Sequence, residues 1–200
     1  MDSKDKGLGS FKKYEISIRG VTPLVWNRMK RELELEKKKL KKDQIEDWEE
    51  KNWLRKAEFD DGDGIVLPPE WLKKSLTDSA SKSKIVPYYA RSKNQTYSFY
   101  TQSMMVEVEN PICTKKDLKY YGAYVNGNPS SFKKSKVWKV RPLLDKGWRV
   151  KFFITDPEGR MKKDELEVLL RFSGYMVGIG DNRINNFGRF DVVSVKEVAM

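Results

Sequence analysis

The chain predicts an α+β domain, and three observations carry that reading. Lys13 to Arg19 and Phe190 to Val198 alternate apolar and polar residues, as half-buried strands do. Lys162 to Val177 places Leu166, Leu169, Leu170, Ser173 and Val177 at helical spacing. The order along the chain is strand, long insert, strand, helix, basic insert, several strands, helix, glycine-rich loop, strand.

In the first segment Tyr14, Ile16 and Ile18 share one face and Glu15, Ser17 and Arg19 the other. Gly20-Val21-Thr22-Pro23 ends that strand. Leu24-Val25-Trp26 follows as an apolar group with a polar end, Asn27 and Arg28. Residues 29–58 are rich in Lys and Glu and lack Gly and Pro. Leu33, Leu40, Ile45, Trp48 and Trp53-Leu54 give a sparse apolar stripe, which reads as one or two mostly solvated helices inserted between strands. Asp60-Asp61-Gly62-Asp63-Gly64 is a turn signal. It fails as a calcium loop, because Ile65 stands where an oxygen ligand is needed and the twelfth position lacks glutamate.

Ile65-Val66-Leu67 is a short strand, and Pro68-Pro69-Glu70 opens a helix whose face carries Trp71, Leu72, Ser75, Leu76 and Ser79. Residues 81–103 form a basic and aromatic insert: Lys82, Lys84, Arg91 and Lys93 are interleaved with Tyr88, Tyr89, Tyr97, Phe99 and Tyr100. Such a mixture suits bases and phosphates, and it equally suits an ordinary strand packed in a core. Met104 to Glu109, Tyr120 to Val125, Val137 to Val140 and Trp148 to Thr155 read as strands. Asn126-Gly127-Asn128-Pro129 is a turn, followed by the basic stretch Ser130 to Lys136 with Lys133, Lys134 and Lys136. Residues 113–147 make a second basic insert. From Cys113 to Arg160 there are twelve Lys and Arg against four Asp and Glu, a clustering that favours a binding face. With the inserts removed, the order is compatible with a β-α-β-β-α-β ferredoxin-like (RRM-like) core in one domain spanning 1–200.

Composition bounds the chemistry. Forty Lys and Arg oppose twenty-nine Asp and Glu, a formal net charge of +11 that favours polyanions. Histidine is absent, which excludes Ser-His-Asp and Cys-His nucleophilic sites and histidine-based ribonuclease chemistry. One cysteine, Cys113, and no histidine give no zinc site, and no metal or cofactor is expected. No apolar run approaches the ~20 residues that span a membrane. The polar start, Met1 to Ser10, shows no apolar signal region. The expectation is a cytoplasmic protein without membrane contact.

The segment richest in chemistry is Gly178-Ile179-Gly180-Asp181-Asn182-Arg183-Ile184-Asn185-Asn186-Phe187-Gly188-Arg189-Phe190. Gly178, Gly180 and Gly188 permit positive φ and close backbone approach. Free amides there would form an anion-binding concavity, and Arg183 and Arg189 supply planar donors for phosphate. The bland alternative is a helix C-cap followed by a tight loop.

A helix running into Gly178-Ile179-Gly180 and on to Phe187-Gly188-Arg189-Phe190 resembles the C-terminal glycine-rich loop of the RAMP superfamily, RNA-binding proteins of CRISPR effector complexes. Ile18 to Arg28, with Val66-Leu67-Pro68-Pro69-Glu70-Trp71-Leu72, is similar to small RAMP-like proteins of bacteriophages and prophages. The resemblance covers the two ends and leaves the middle unmatched. It implies an RNA-binding protein that assembles along a strand, with Asn27, Arg28 and the glycine loop among its contacts. Processing nucleases of that superfamily often use a histidine that this chain lacks. The expected function is noncatalytic binding of single-stranded RNA or DNA by a homo-oligomer, alone or with CRISPR-type or phage recombination and replication proteins. The alternatives are a metal- or Tyr/Lys-dependent nuclease, and a phage protein that imitates a CRISPR subunit and inhibits a host complex.

Overall fold

A computed structural model describes residues 11–83, 101–126 and 136–199. The fold is α+β, with antiparallel sheets. The principal sheet has the order β4-β8-β1-β9, where β1 is Lys12–Gly20, β4 Met105–Val108, β8 Arg149–Asp156 and β9 Phe190–Val198. Every neighbouring pair is antiparallel. A second sheet, β2-β7-β6, consists of Leu24–Val25, Lys136–Leu144 and Leu118–Asn126. A two-stranded pair joins β3, Gly64–Ile65, to β5, Cys113–Thr114.

Alternation decides which face of the principal sheet is buried. Tyr14, Ile16 and Ile18 on β1 join Val150, Phe152 and Ile154 on β8 in the core. On β9 the alternation slips: Phe190 and Val192 are buried, and the next buried residue is Val195. The β1–β9 register shifts between Ser17 and Ile18, which leaves Val193 as the extra, exposed residue of a bulge. Two helices cover the buried face and touch each other, α3 at Pro69–Ser83 and α4 at Lys163–Phe172. Leu72 and Leu76 from α3 and Leu166, Leu169 and Leu170 from α4 close the core.

α4 ends five residues before the periodicity predicts. Ser173–Val177 widens into a π turn, with the Gly178 amide donating to the Ser173 carbonyl at 2.8 Å, and Gly178 (φ 73°) terminates it. Small side chains permit this close packing. Ser75 Oγ on α3 donates to the Gly178 carbonyl at 2.7 Å and lies 2.7 Å from Ser173 Oγ.

The helical insert comprises α1, Arg31–Lys38, α2, Ile45–Lys51, and a 3₁₀ turn at Trp53–Lys56. It is less solvated than its composition predicts, because Leu33, Trp48, Glu49 and Lys56 are all buried. Lys56 and Glu49 form an ion pair at the free edge of β7. The Val140 amide donates to Glu49 Oε2 at 2.9 Å, and Lys56 Nζ donates to the Val140 carbonyl at 2.5 Å. Two side chains thus occupy the backbone groups that a neighbouring strand would take. Lys37 pairs with the other Glu49 oxygen.

Candidate nucleic-acid interface

The glycine loop is threaded against its own protein. The Ile179 amide donates to the Gly188 carbonyl at 3.0 Å, and the Gly188 amide to the Pro23 carbonyl at 2.8 Å. The Asp181 amide donates to the Val25 carbonyl at 2.9 Å, and the Arg189 amide to Thr22 Oγ1 at 2.8 Å. The expected concavity of free amides therefore needs correction, since the Asp181, Gly188 and Arg189 amides are taken up in docking the loop onto residues 22–25 and the Ile179 amide is used within the loop. The glycines act in the same way. A Cβ on Gly180 (φ 81°) would stand 2.7 Å from Leu24 Cδ1 and 2.8 Å from the Val25 carbonyl oxygen. The close approach they permit in this structure is to backbone and core.

Side chains at the loop's outer side carry the chemistry. Arg183 Nη1 lies 3.3 Å from Asp78 on α3. Arg141, from β7, is 5% exposed, and its Nε faces Asp181 Oδ2 at 2.7 Å. Among the described residues, Arg141 Nη1 and Arg189 Nη1 are buried without a hydrogen-bond partner. The Arg189 side chain also donates to the Arg183 carbonyl and to Asn186 Oδ1, each at 3.2 Å. Burial and then the neighbouring Arg183 charge push Arg189 below the ordinary guanidinium range.

The β6–β7 hairpin supplies the opposite wall. Tyr121 pairs with Arg141 and Ala123 with Lys139, so these side chains share one face. Tyr121 meets Phe187 of the loop, with ring centroids 5.1 Å apart. Burial is the main cause that lowers Lys139 below the usual lysine range, and the Arg141 and Lys37 charges add to it against Glu49 and Asp181. From α3, Trp71 and Lys74 complete a cleft of about 470 Å³ with Arg141 and Gly180 to Ile184. Trp71 leans on buried Trp26, with ring centroids 6.0 Å apart.

The open face of the principal sheet is electrostatically different. Lys13 pairs with Glu107 at 3.1 Å, and Lys151 with Glu15 at 3.2 Å and Glu109 at 3.1 Å. Both lysines also lie over the Phe153 ring. Cations matched this way offer a phosphate little.

Arg183 and Arg189 stand at this loop beside Gly178, Gly180 and Gly188. Arg28 stands elsewhere, between Glu58 and Glu70, the latter at 3.3 Å, with Asn27 half-buried beside it. Lys82 is exposed near the end of α3, and Lys136 is exposed at the start of β7. Lys84, Tyr88, Tyr89, Arg91, Lys93, Lys133 and Lys134 lie outside the described residues. Sequence reasoning missed Trp71, Lys74, Tyr121, Lys139 and Arg141 as site residues. Pairing of Tyr121 with Arg141 depends on hairpin register, and Trp71 reads from sequence as core.

No family model matches the chain, and no curated protein matches it. Among solved structures it is similar to a chain of the "Cryo-EM structure of the Type III-B Cmr-beta bound to cognate target RNA". The identity is 8% and the TM-score 0.48, covering 94% of this chain and 61% of that one. The chain thus spans less than two-thirds of that chain's length. No helix among the described residues is long and apolar enough to cross a membrane.

Proposed function

We propose that this protein is a noncatalytic binder of single-stranded nucleic acid that assembles along the strand. The observation carrying the reading is the convergence of Lys74, Lys139, Arg141 and Arg183 with Trp71 where the glycine loop meets β7 and α3. Cations track a phosphate backbone, and aromatic rings stack on bases of any sequence. Antiparallel strand order β9-β1-β8-β4, with α3 between β1 and β4 and α4 between β8 and β9, supports a ferredoxin-like core as the scaffold. The RAMP-like motifs at the two ends favour RNA over DNA and a cytoplasmic, phage-associated setting. Binding without hydrolysis is the better reading, because Asp181 is held by Arg141 and the chain has no histidine to act as base.

Fluorescence anisotropy with labelled 20-nucleotide RNA, DNA and duplex strands tests this. Tight binding of single strands, weaker binding of duplex and intact strands after incubation with magnesium are expected. Sedimentation should give larger particles on longer strands. Affinity equal to that of an unrelated basic protein, or cleavage by pure protein that one substitution abolishes, would overturn it.

A further inference from the structure

We propose that the cleft bounded by Trp71, Lys74, Arg141 and Gly180 to Ile184 seats one nucleotide of the bound strand, its phosphate on Arg141 and its base against Trp71. The inference rests on the single-strand reading above and adds a defined seat to it. The cleft holds about 470 Å³, within the roughly 300–1,000 Å³ of small-molecule sites.

Arg141 makes the site a built one. It is 5% exposed, its Nε stands 2.7 Å from Asp181 Oδ2 as an ion pair, and neither Nε nor Nη1 has a hydrogen-bond partner among the described residues. A buried guanidinium N–H without an acceptor is rare in a folded protein. A phosphate oxygen in the cleft would satisfy it with a charge-assisted bond. Lys74 and Arg183 line the same space, so three cations stand there against Asp181 and the Asp78 that pairs with Arg183, a surplus of one positive charge. An anion is therefore favoured over a cation or a neutral ligand. The fourth wall, Trp71, distinguishes a nucleotide from a bare anion. Its ring is propped by buried Trp26, whereas Tyr121 and Phe187 beside the loop pack on each other. A propped, half-buried indole suits base stacking.

The test is anisotropy with fluorescein-labelled 15-nucleotide oligouridylate and oligothymidylate, from 50 to 300 mM salt, on the full chain. Lys74→Gln and Arg141→Lys should each weaken binding at least five-fold. Lys74→Gln should also lower the salt slope by about 0.7, one phosphate's share, whereas Arg141→Lys keeps the charge and should weaken binding with the slope near the parent's. Trp71→Leu should weaken binding with the slope unchanged. An oligouridylate carrying 4-thiouridine should photocrosslink to Trp71. Lys74 is exposed, so Lys74→Gln tests the seat even where Arg141→Lys melts early. If the unsubstituted protein binds while Lys74→Gln and Trp71→Leu bind as tightly with crosslinks elsewhere, the seat is wrong and strand binding stands. If the unsubstituted protein binds neither strand, both readings fall together.

Discussion

Among single residues, Glu49 is the most exposed to chemical test, although it is only 1% exposed to solvent. Burial alone would raise its pKa. Hydrogen bonds from Lys37, Lys56 and the Val140 amide outweigh that and hold it below the ordinary glutamate value of 4.5. Its folded pKa lies below its unfolded one, so its stabilisation is complete above pH 4.5 and is lost as the pH falls through the folded value. Glu49→Gln should remove that acid-dependent part and leave Lys56, which is 0% exposed, without its counter-ion. Breaking a buried pair from one side costs about 3–5 kcal/mol. Thermal melts at pH 7 and at successive steps below pH 4.5 check both points. A variant as stable as the parent at pH 7, with the same acid limb, would show that the pair holds nothing. Cys113 lies at the other extreme of reactivity, since burial and then Asp117 push its thiol up to about 12 and keep it in the unreactive form at neutral pH.

Among elements, the glycine loop decides how β2, α3 and β9 meet. Gly188 (φ 68°) passes so close to Ile179 that a Cβ would overlap the Ile179 carbonyl oxygen. Gly147 (φ 94°) has the same kind of backbone and nothing within 4 Å of a Cβ. The two positions therefore separate backbone strain from collision. Gly147→Ala should cost about 1 kcal/mol through its dihedral alone. Gly188→Ala should cost at least about 2 kcal/mol more, because the overlap lies against backbone that cannot move independently. Denaturant unfolding of both variants gives the comparison, and equal losses would mean that the loop can shift away from Ile179. A loop held this rigidly also fixes Arg183 and Arg189 relative to Arg141, which a binding site needs.

At the scale of the molecule, charge is distributed rather than uniform. Lysines on the open face of the principal sheet are matched by carboxylates, whereas Lys74, Lys139, Arg141 and Arg183 gather at the loop with Asp181 and Asp78 as their acidic partners. Binding should therefore be salt-dependent through a few localised contacts and not through the whole surplus of +11. Each contacted phosphate of a single strand contributes about −0.7 to the slope of log K against log salt, so four cations give about −3. A measured slope of about −8 would imply diffuse attraction over the whole surface, and a slope near zero would remove phosphate from the interface altogether.

Strands and helices were legible in the sequence because they rest on local periodicity. Phe190–Val198 is bounded as its alternation predicts, and Tyr14, Ile16 and Ile18 occupy the buried face their spacing assigns. The same periodicity overextended α4, because a π turn at Ser173–Val177 keeps apolar spacing while changing the hydrogen bonds. The glycine loop was legible as a place of special backbone, since glycine tolerates φ near +70° cheaply and asparagine, as at Asn182 (φ 59°) and Asn186 (φ 64°), is the next most tolerant. What that backbone approaches was not legible: the loop docks on residues 22–25, more than 150 positions away in sequence. For the same reason the carboxylates that match Arg28 and Arg183 could not be read from the chain. The site residues Trp71 and Arg141 come from separate elements, and only the packing of α3 and β7 against the loop brings them together. Periodicity is a property of neighbouring residues and survives in the sequence, whereas a cleft is a property of elements that meet in space.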